Sequence, residues 1–196
     1  MLKFQIGGIR CKLSLLFPAV LLYLLYIDKS GLTLFGFMAA VFHECGHLTV
    51  AFILHTPPNE LSVSCFGMRL LMDDIDRLCT SDAILIASGG PFFNAILATT
   101  FYILKVDPIY AQFHVVMAIF NLLPIMPLDG GQIVHLCFGK ILSPKSLYIL
   151  EDILFFLVWI VLFILSLYVL YQPSHNITLA IVSFYLIILR VFHIGN

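Results

Sequence analysis

Apolar residues gather along this chain in six blocks, roughly 13–27, 32–54, 82–104, 109–125, 149–171 and 177–194, with short polar stretches between them. A helix needs about 20 residues to cross the hydrocarbon of a bilayer. The blocks therefore predict an all-α polytopic membrane protein of about six transmembrane helices, the first and fourth being short. The first is expected to recruit Cys11 and Lys12 at its edge by snorkelling. Between the second and third blocks the pattern changes. Thr56-Pro57-Pro58-Asn59 stops a helix. Glu60 to Met72 then partly alternates, as in Leu61-Ser62-Val63-Ser64-Cys65, and Gly67 offers a turn. This predicts a short membrane-associated β-hairpin between helices 2 and 3. The whole chain, 1–196, is expected to form one transmembrane domain with core helices at about 32–54, 82–104 and 109–125. No internal repeat and no low-complexity segment is evident.

Composition agrees with this pattern. The chain is 61% hydrophobic and 11% charged, against roughly 25% charged residues in soluble domains. Its formal net charge of −1 offers no basic patch for nucleic acid, which is excluded as a partner. The lipid bilayer is the expected surrounding. Cys11, Cys45, Cys65, Cys79 and Cys137 are scattered without a C-x-x-C pair, so no disulfide framework is expected. Lys3, Arg10 and Lys12 precede the run Leu13–Ile27 as in a signal peptide, but no A-x-A-type cleavage site follows. Asp28-Lys29-Ser30-Gly31 leads straight into the next block, so the first segment is read as retained. With both termini in the cytoplasm, eight cations (Lys3, Arg10, Lys12, Arg69, Arg77, Lys140, Lys145, Arg190) lie inside and two (Lys29, Lys105) outside. That positive-inside bias sets the orientation. The protein is read as multi-pass, in the cell membrane if bacterial.

The second block contains the residues that carry chemistry. His43-Glu44-Cys45-Gly46-His47 interrupts a run from Leu32 to Leu54 that has no other charge. Ionisable residues in such a run are costly and mark functional sites. On a helix, positions 43 and 47 lie one above the other, so both imidazoles can reach one zinc ion while Glu44 addresses its water. Seven histidines and three glutamates in 196 residues give roughly 0.004 chance matches to H-E-x-x-H. Without a metal, two imidazoles and a carboxylate would have to satisfy one another in hydrocarbon, which is energetically poor. Cys45 points off the ligand face and is not read as a ligand.

Catalytic zinc takes three protein ligands and leaves the fourth position to water. Asp129 is the best candidate for the third. It lies in Asn121-Leu122-Leu123-Pro124-Ile125-Met126-Pro127-Leu128-Asp129-Gly130-Gly131, where two prolines break the fourth block and two glycines permit tight backbone geometry. Irregular backbone at membrane depth is tolerated where protein or a water-filled cavity surrounds it. Asp73, Asp74 and Asp76 are read as a solvated loop, because no histidine or cysteine is spaced to cooperate with them. His55 complements a helix C-terminus. His114 and His135 are near the motif segments but are read as other than metal partners. His175 and His193 carry no assignment.

Three motifs together resemble the site-2 protease family of intramembrane zinc metalloproteases. These are His43-Glu44-Cys45-Gly46-His47, Gly90-Pro91-Phe92-Phe93-Asn94, and Asn121 to Gly131 with its Pro-Leu-Asp-Gly core. They span the central half of the chain. The resemblance implies zinc, one ion per chain, held by His43, His47 and Asp129, with Glu44 catalytic. It implies that Asn94 faces the site and holds substrate or the oxyanion; helix–helix bonding is the other reading of an intramembrane asparagine. Asn121 is equally explained by capping. Neither the PDZ insertion nor the CBS domain of some members is expected in the chain. It looks like a minimal form, similar to the sporulation-type branch. The implied partners are a membrane-tethered protein substrate and a regulatory membrane protein. Two other classes fit an intramembrane zinc site: a non-catalytic regulatory zinc protein, and a metal transporter. Neither requires a glutamate directly after the first histidine.

Overall fold

The computed structural model describes residues 2–6, 9–64, 67–71, 79–172 and 177–191. Cys65, the acidic run Asp73 to Asp76, Arg77, His175 and His193 lie outside them. The chain forms two units, 1–120 and 121–196.

In the first unit, strands β1 (Leu2–Ile6) and β2 (Ile9–Leu13) precede helices α1 (Leu16–Ile27) and α2 (Leu32–Ile53). Strands β3 (Glu60–Ser64) and β4 (Gly67–Leu71) follow, then α3 (Thr80–Ile103) and α4 (Pro108–Asn121). The expected hairpin after the second helix is β3–β4. It belongs to a larger, four-stranded sheet ordered β1-β2-β3-β4, in which β2 and β3 run parallel and the outer pairs antiparallel. The protein is therefore mainly helical with a small sheet, and the all-α expectation is corrected. Cys11 and Lys12 do not extend the first helix. They sit in β2, opposite Phe4 and Lys3. The alternation of Lys3-Phe4-Gln5-Ile6 and Ile9-Arg10-Cys11-Lys12 favours strands, and parallel pairing to β3 gives β2 a second neighbour. Lys12 Nζ reaches buried Glu60 at 2.6 Å, and Arg10 N–H donates to Asn59 O at 2.9 Å.

Helix α2 starts at a well-defined cap. Gly31 takes φ +77°, a left-handed conformation that glycine adopts without a Cβ clash. Asp28 Oδ1 accepts from Ser30 N–H at 2.8 Å and Ser30 Oγ–H at 2.5 Å, and Oδ2 from Thr33 N–H at 2.6 Å. These donors, the Ser30 hydroxyl foremost and then the Thr33 amide, hold the Asp28 carboxyl well below the usual carboxylate range. The helix then runs 22 residues, about 33 Å at 1.5 Å per residue.

Helices α2 and α3 pack closely. A Cβ on Gly46 would lie 2.4 Å from Gly89 O and 2.6 Å from Phe93 Cβ, and one on Gly89 would lie 2.8 Å from Gly46 O. Only paired glycines allow two helical backbones this near, as at small-residue interfaces in bilayers. Pro91, inside α3, has no N–H to give to Ala87 O.

The fourth apolar block ends early. Helix α4 stops at Asn121 after 14 residues, about 21 Å, because Pro124 and Pro127 follow.

The second unit begins with an irregular segment, 122–128, containing a cis Met126–Pro127 peptide. Three helices follow: α5 (Asp129–Phe138), α6 (Pro144–Tyr171) and α7 (Thr178–Val191). Helix α5 was not expected as a separate element. Helix α6 starts five residues earlier than expected, capped by Ser143 Oγ accepting from Ser146 N–H at 3.2 Å with Pro144 following the cap. Adjacent acids on α6 tie both neighbours: Glu151 bonds His135 Nδ1 of α5 at 2.8 Å, and Asp152 accepts from Arg190 Nε of α7 at 3.0 Å. The Arg190 guanidinium also lies over the Tyr148 and Phe155 rings, 5.2 and 5.7 Å from their centroids. Trp159 Nε1–H donates to Ser183 O at 3.0 Å.

Helices α2, α3 and α6 are long and apolar enough to cross a membrane, while α1 and the start of α7 are shorter apolar helices. The protein is an integral membrane protein.

The Asp28 cap gives a pH-dependent test. A carboxyl depressed in the fold contributes stability above its unfolded pKa of about 3.9 and loses that contribution as pH falls through its folded value. Asp28→Ala is expected to lower the melting temperature at pH 7, with the difference from the parent shrinking below about pH 4. Thermal melts in detergent at both pH values check this.

Candidate metal centre

His43 and His47 lie on the face of α2 that meets α3, and both are buried. Glu44, between them, is half-buried. The two Nε2 atoms are 3.2 Å apart. Two nitrogens held about 2.0–2.1 Å from a tetrahedral zinc are separated by about 3.3 Å. The imidazole pair thus already has the spacing of two ligands on one ion.

The outer nitrogen of His47 decides its tautomer. Nδ1 lies 2.7 Å from Ile86 O, an atom that can only accept, so Nδ1 carries the proton and Nε2 the lone pair. Gly90 N–H also points at Nδ1, at 3.3 Å. A nitrogen that donates to Ile86 O has no lone pair left for it, so the shorter contact fixes the assignment. A ligating histidine whose other N–H is held by a carbonyl is the usual arrangement at protein metal sites.

His43 is held from α3 as well. Asn94, fully buried, places Nδ2 3.2 Å from His43 Nδ1, and its Oδ1 lies 2.9 Å from Nδ1 of His114 on α4. His114 is buried and flanked by Phe42 and Phe101, ring centroids 6.0 and 5.5 Å away. The sequence reading set His114 apart from the metal-site residues. The structure corrects this, placing it one hydrogen bond from Asn94 and two from His43. Motif spacing could not reveal the link, since the three residues sit on three helices. The one available signal was a polar side chain inside an apolar block. His135 agrees with its reading, being paired with Glu151.

Gly90 completes the cradle. A Cβ there would lie 2.4 Å from His47 Nε2 and 2.7 Å from His43 Nε2 and Cε1. The space beside α3 at this residue is therefore filled by the two donor nitrogens, and hydrogen bonds to Ile86 and Asn94 stop the rings from swinging away.

Asp129 is buried and is the first residue of α5, where the helix dipole favours a carboxylate. A Cβ on Gly130 would meet Leu122 O at 2.2 Å, and one on Gly131 would meet Ile125 C at 2.3 Å. The proline-broken segment thus folds against the start of α5 and fixes where Asp129 begins. Asp129 is the carboxylate that the sequence reading sets beside His43 and His47 as a zinc ligand. Two imidazoles and a carboxylate suit zinc with an open position. The residues present fit that ion.

Residues 107–165 match the model of Peptidase family M50. No curated protein matches the chain. Among solved structures, the fold is similar to the site-2 protease from Methanocaldococcus jannaschii, at 23% identity over 94% of this chain and 91% of that one, with a TM-score of 0.65. The chain thus has a region similar to a peptidase family and a fold similar to that of a site-2 protease.

Gly90→Ala puts a methyl group against both donor nitrogens. It is expected to lower zinc affinity at least tenfold, the lower bound for disturbing groups that orient metal ligands. Stability loss should stay within about 1–3 kcal/mol, the usual cost of overpacking. Chelator competition and thermal melts on the purified variant check the two effects separately.

Proposed function

We propose that this protein is a zinc endopeptidase that hydrolyses a peptide bond in or near the transmembrane segment of a membrane-tethered substrate, as in regulated intramembrane proteolysis. The observation that carries the reading is the His43–His47 pair, with its Nε2 atoms at ligand spacing and Glu44 between the two residues. His43, His47 and Asp129 hold the ion. Bound zinc supplies Lewis acidity, bringing the pKa of a water toward 7 and polarising the scissile carbonyl. Glu44 accepts the proton of the attacking water and delivers it to the departing amine, breaking the C–N bond. His47 keeps its Nδ1 proton on Ile86 O throughout, and Gly90 leaves room for both rings. Asn94, bonded at both ends of its amide, supports a positioning role beside the substrate-holding role implied by the family resemblance.

The reading extends to topology. The domain is taken as one unit of function over 1–196, with six crossings, the shorter helices included, and both termini in the cytoplasm. The positive-inside bias supports that orientation, and the membrane is the cell membrane if the source is bacterial. The motif resemblance favours the sporulation-type branch. A helical substrate presents no accessible carbonyl and must unwind locally. Strand β4 is outermost in the sheet, which supports pairing with an unwound segment by strand addition. Prolines introduced in β4 are expected to lower cleavage of a transmembrane substrate, and unchanged cleavage would count against the pairing.

Glu44→Gln separates protease from zinc-binding regulator and transporter. The variant is expected to keep its zinc and lose about 10²- to 10⁴-fold in cleavage, the range for a general base. Zinc content and cleavage of a tethered single-span substrate are measured together. Equal cleavage by both proteins would sink the mechanism. Zinc uptake into liposomes without cleavage would favour the transporter.

A further inference from the structure

The amide of Asn94 sits between two histidines, His43 on α2 and His114 on α4, and contacts both through their Nδ1 atoms. A carboxamide has a donor end and an acceptor end, exchanged by a half-turn of the side chain. The trio therefore has two self-consistent hydrogen-bond patterns. In one, Asn94 N–H donates to His43 Nδ1, and His114 Nδ1–H donates to Asn94 Oδ1. Neutral His43 then carries its proton on Nε2, pointing toward His47 Nε2, where it cannot ligate a metal. In the other, His43 Nδ1–H donates to Asn94 Oδ1, and Asn94 N–H donates to a bare His114 Nδ1. His43 Nε2 is then a lone pair, matching that of His47.

Resting on the zinc-site reading above, we propose that His114 and Asn94 are positioning residues which together select the ligating tautomer of His43. The shift between patterns balances without any net proton gain or loss. His43 moves its proton from Nε2 to Nδ1, His114 moves its proton from Nδ1 to Nε2, and Asn94 turns. His114 matters because it has an Nδ1 that can accept the Asn94 N–H, which locks Oδ1 onto His43. A side chain without an acceptor there leaves that amide hydrogen buried and unpaired, a costly outcome. Asn94 is fully buried, so water does not substitute easily. The rings of Phe42 and Phe101 beside His114 hold the imidazole in place and add no hydrogen-bond partner to compete.

The test is zinc affinity of the full chain in detergent, by chelator competition, with melting temperature recorded before loading. His114→Phe keeps the ring and removes the acceptor. It is expected to weaken zinc binding about 10- to 100-fold, the range for residues that orient metal ligands. His114→Asn places an amide oxygen near the Nδ1 position and is expected to restore most of that loss. Asn94→Leu should lose affinity as His114→Phe does. Asn94→Asp, whose carboxylate accepts from His43 Nδ1–H, should keep it. Parental affinity in His114→Phe would overturn the proposal and leave the zinc site standing. So would equal loss in His114→Phe and His114→Asn, which would mark His114 as packing alone. Failure of the parent protein itself to bind zinc would overturn both this proposal and the zinc-site reading.

Discussion

The approach of α2 to α3 through Gly46 and Gly89 is the constraint on which the site depends. Within hydrocarbon, exposed polar groups find no water, so two imidazoles on α2 need partners supplied by protein. The partners are a main-chain carbonyl, Ile86 O, and a carboxamide, Asn94, both on α3. A main-chain carbonyl reaches a ring nitrogen on another helix only if the backbones nearly touch. Glycine at both contact positions removes the side chains that would hold them apart. Gly46 lies inside the H-E-x-x-H motif itself, so the same five residues supply the donors and the contact that orients them.

A ligand held from behind is stiff, and stiffness is what a metal site in an apolar setting requires. His47 has a fixed tautomer because an oxygen faces it, while His43 has one only through Asn94. The two ligands thus differ in how they are prepared, although the sequence writes them as equals. Asp129 is prepared in a third way, by its place at a helix start and by the folded-back segment against Gly130 and Gly131.

The sequence made legible whatever depends on local pattern. Histidines four apart predicted a shared helix face. Pro124 and Pro127 predicted the break after α4, and the alternation at 60–64 predicted a strand. The N-terminal strands show in the alternation on both sides of Gly7-Gly8, but Lys3, Arg10 and Lys12 in that stretch equally resemble charges flanking a membrane segment. What pattern could not carry was pairing between distant residues. The parallel match of β2 to β3 and the link from His43 to His114 join positions 50 and 71 residues apart, and no periodicity encodes either. Helix α5 stayed hidden because its ten residues follow directly on an irregular segment.

The sheet also imposes an order in time. Arg10 pairs with Glu60, so strand β2 cannot gain its second neighbour until α1 and α2 have been made. At synthesis rates of about 5–20 residues per second, the intervening chain takes about 3–10 seconds to emerge. During that interval β1 and β2 form at most a two-stranded ribbon, marginal by itself. The sheet closes after the helix that carries His43 and His47 has been synthesised, so the completed sheet is a late landmark of biogenesis. A chain stalled before residue 60 would carry the motif and still lack the sheet.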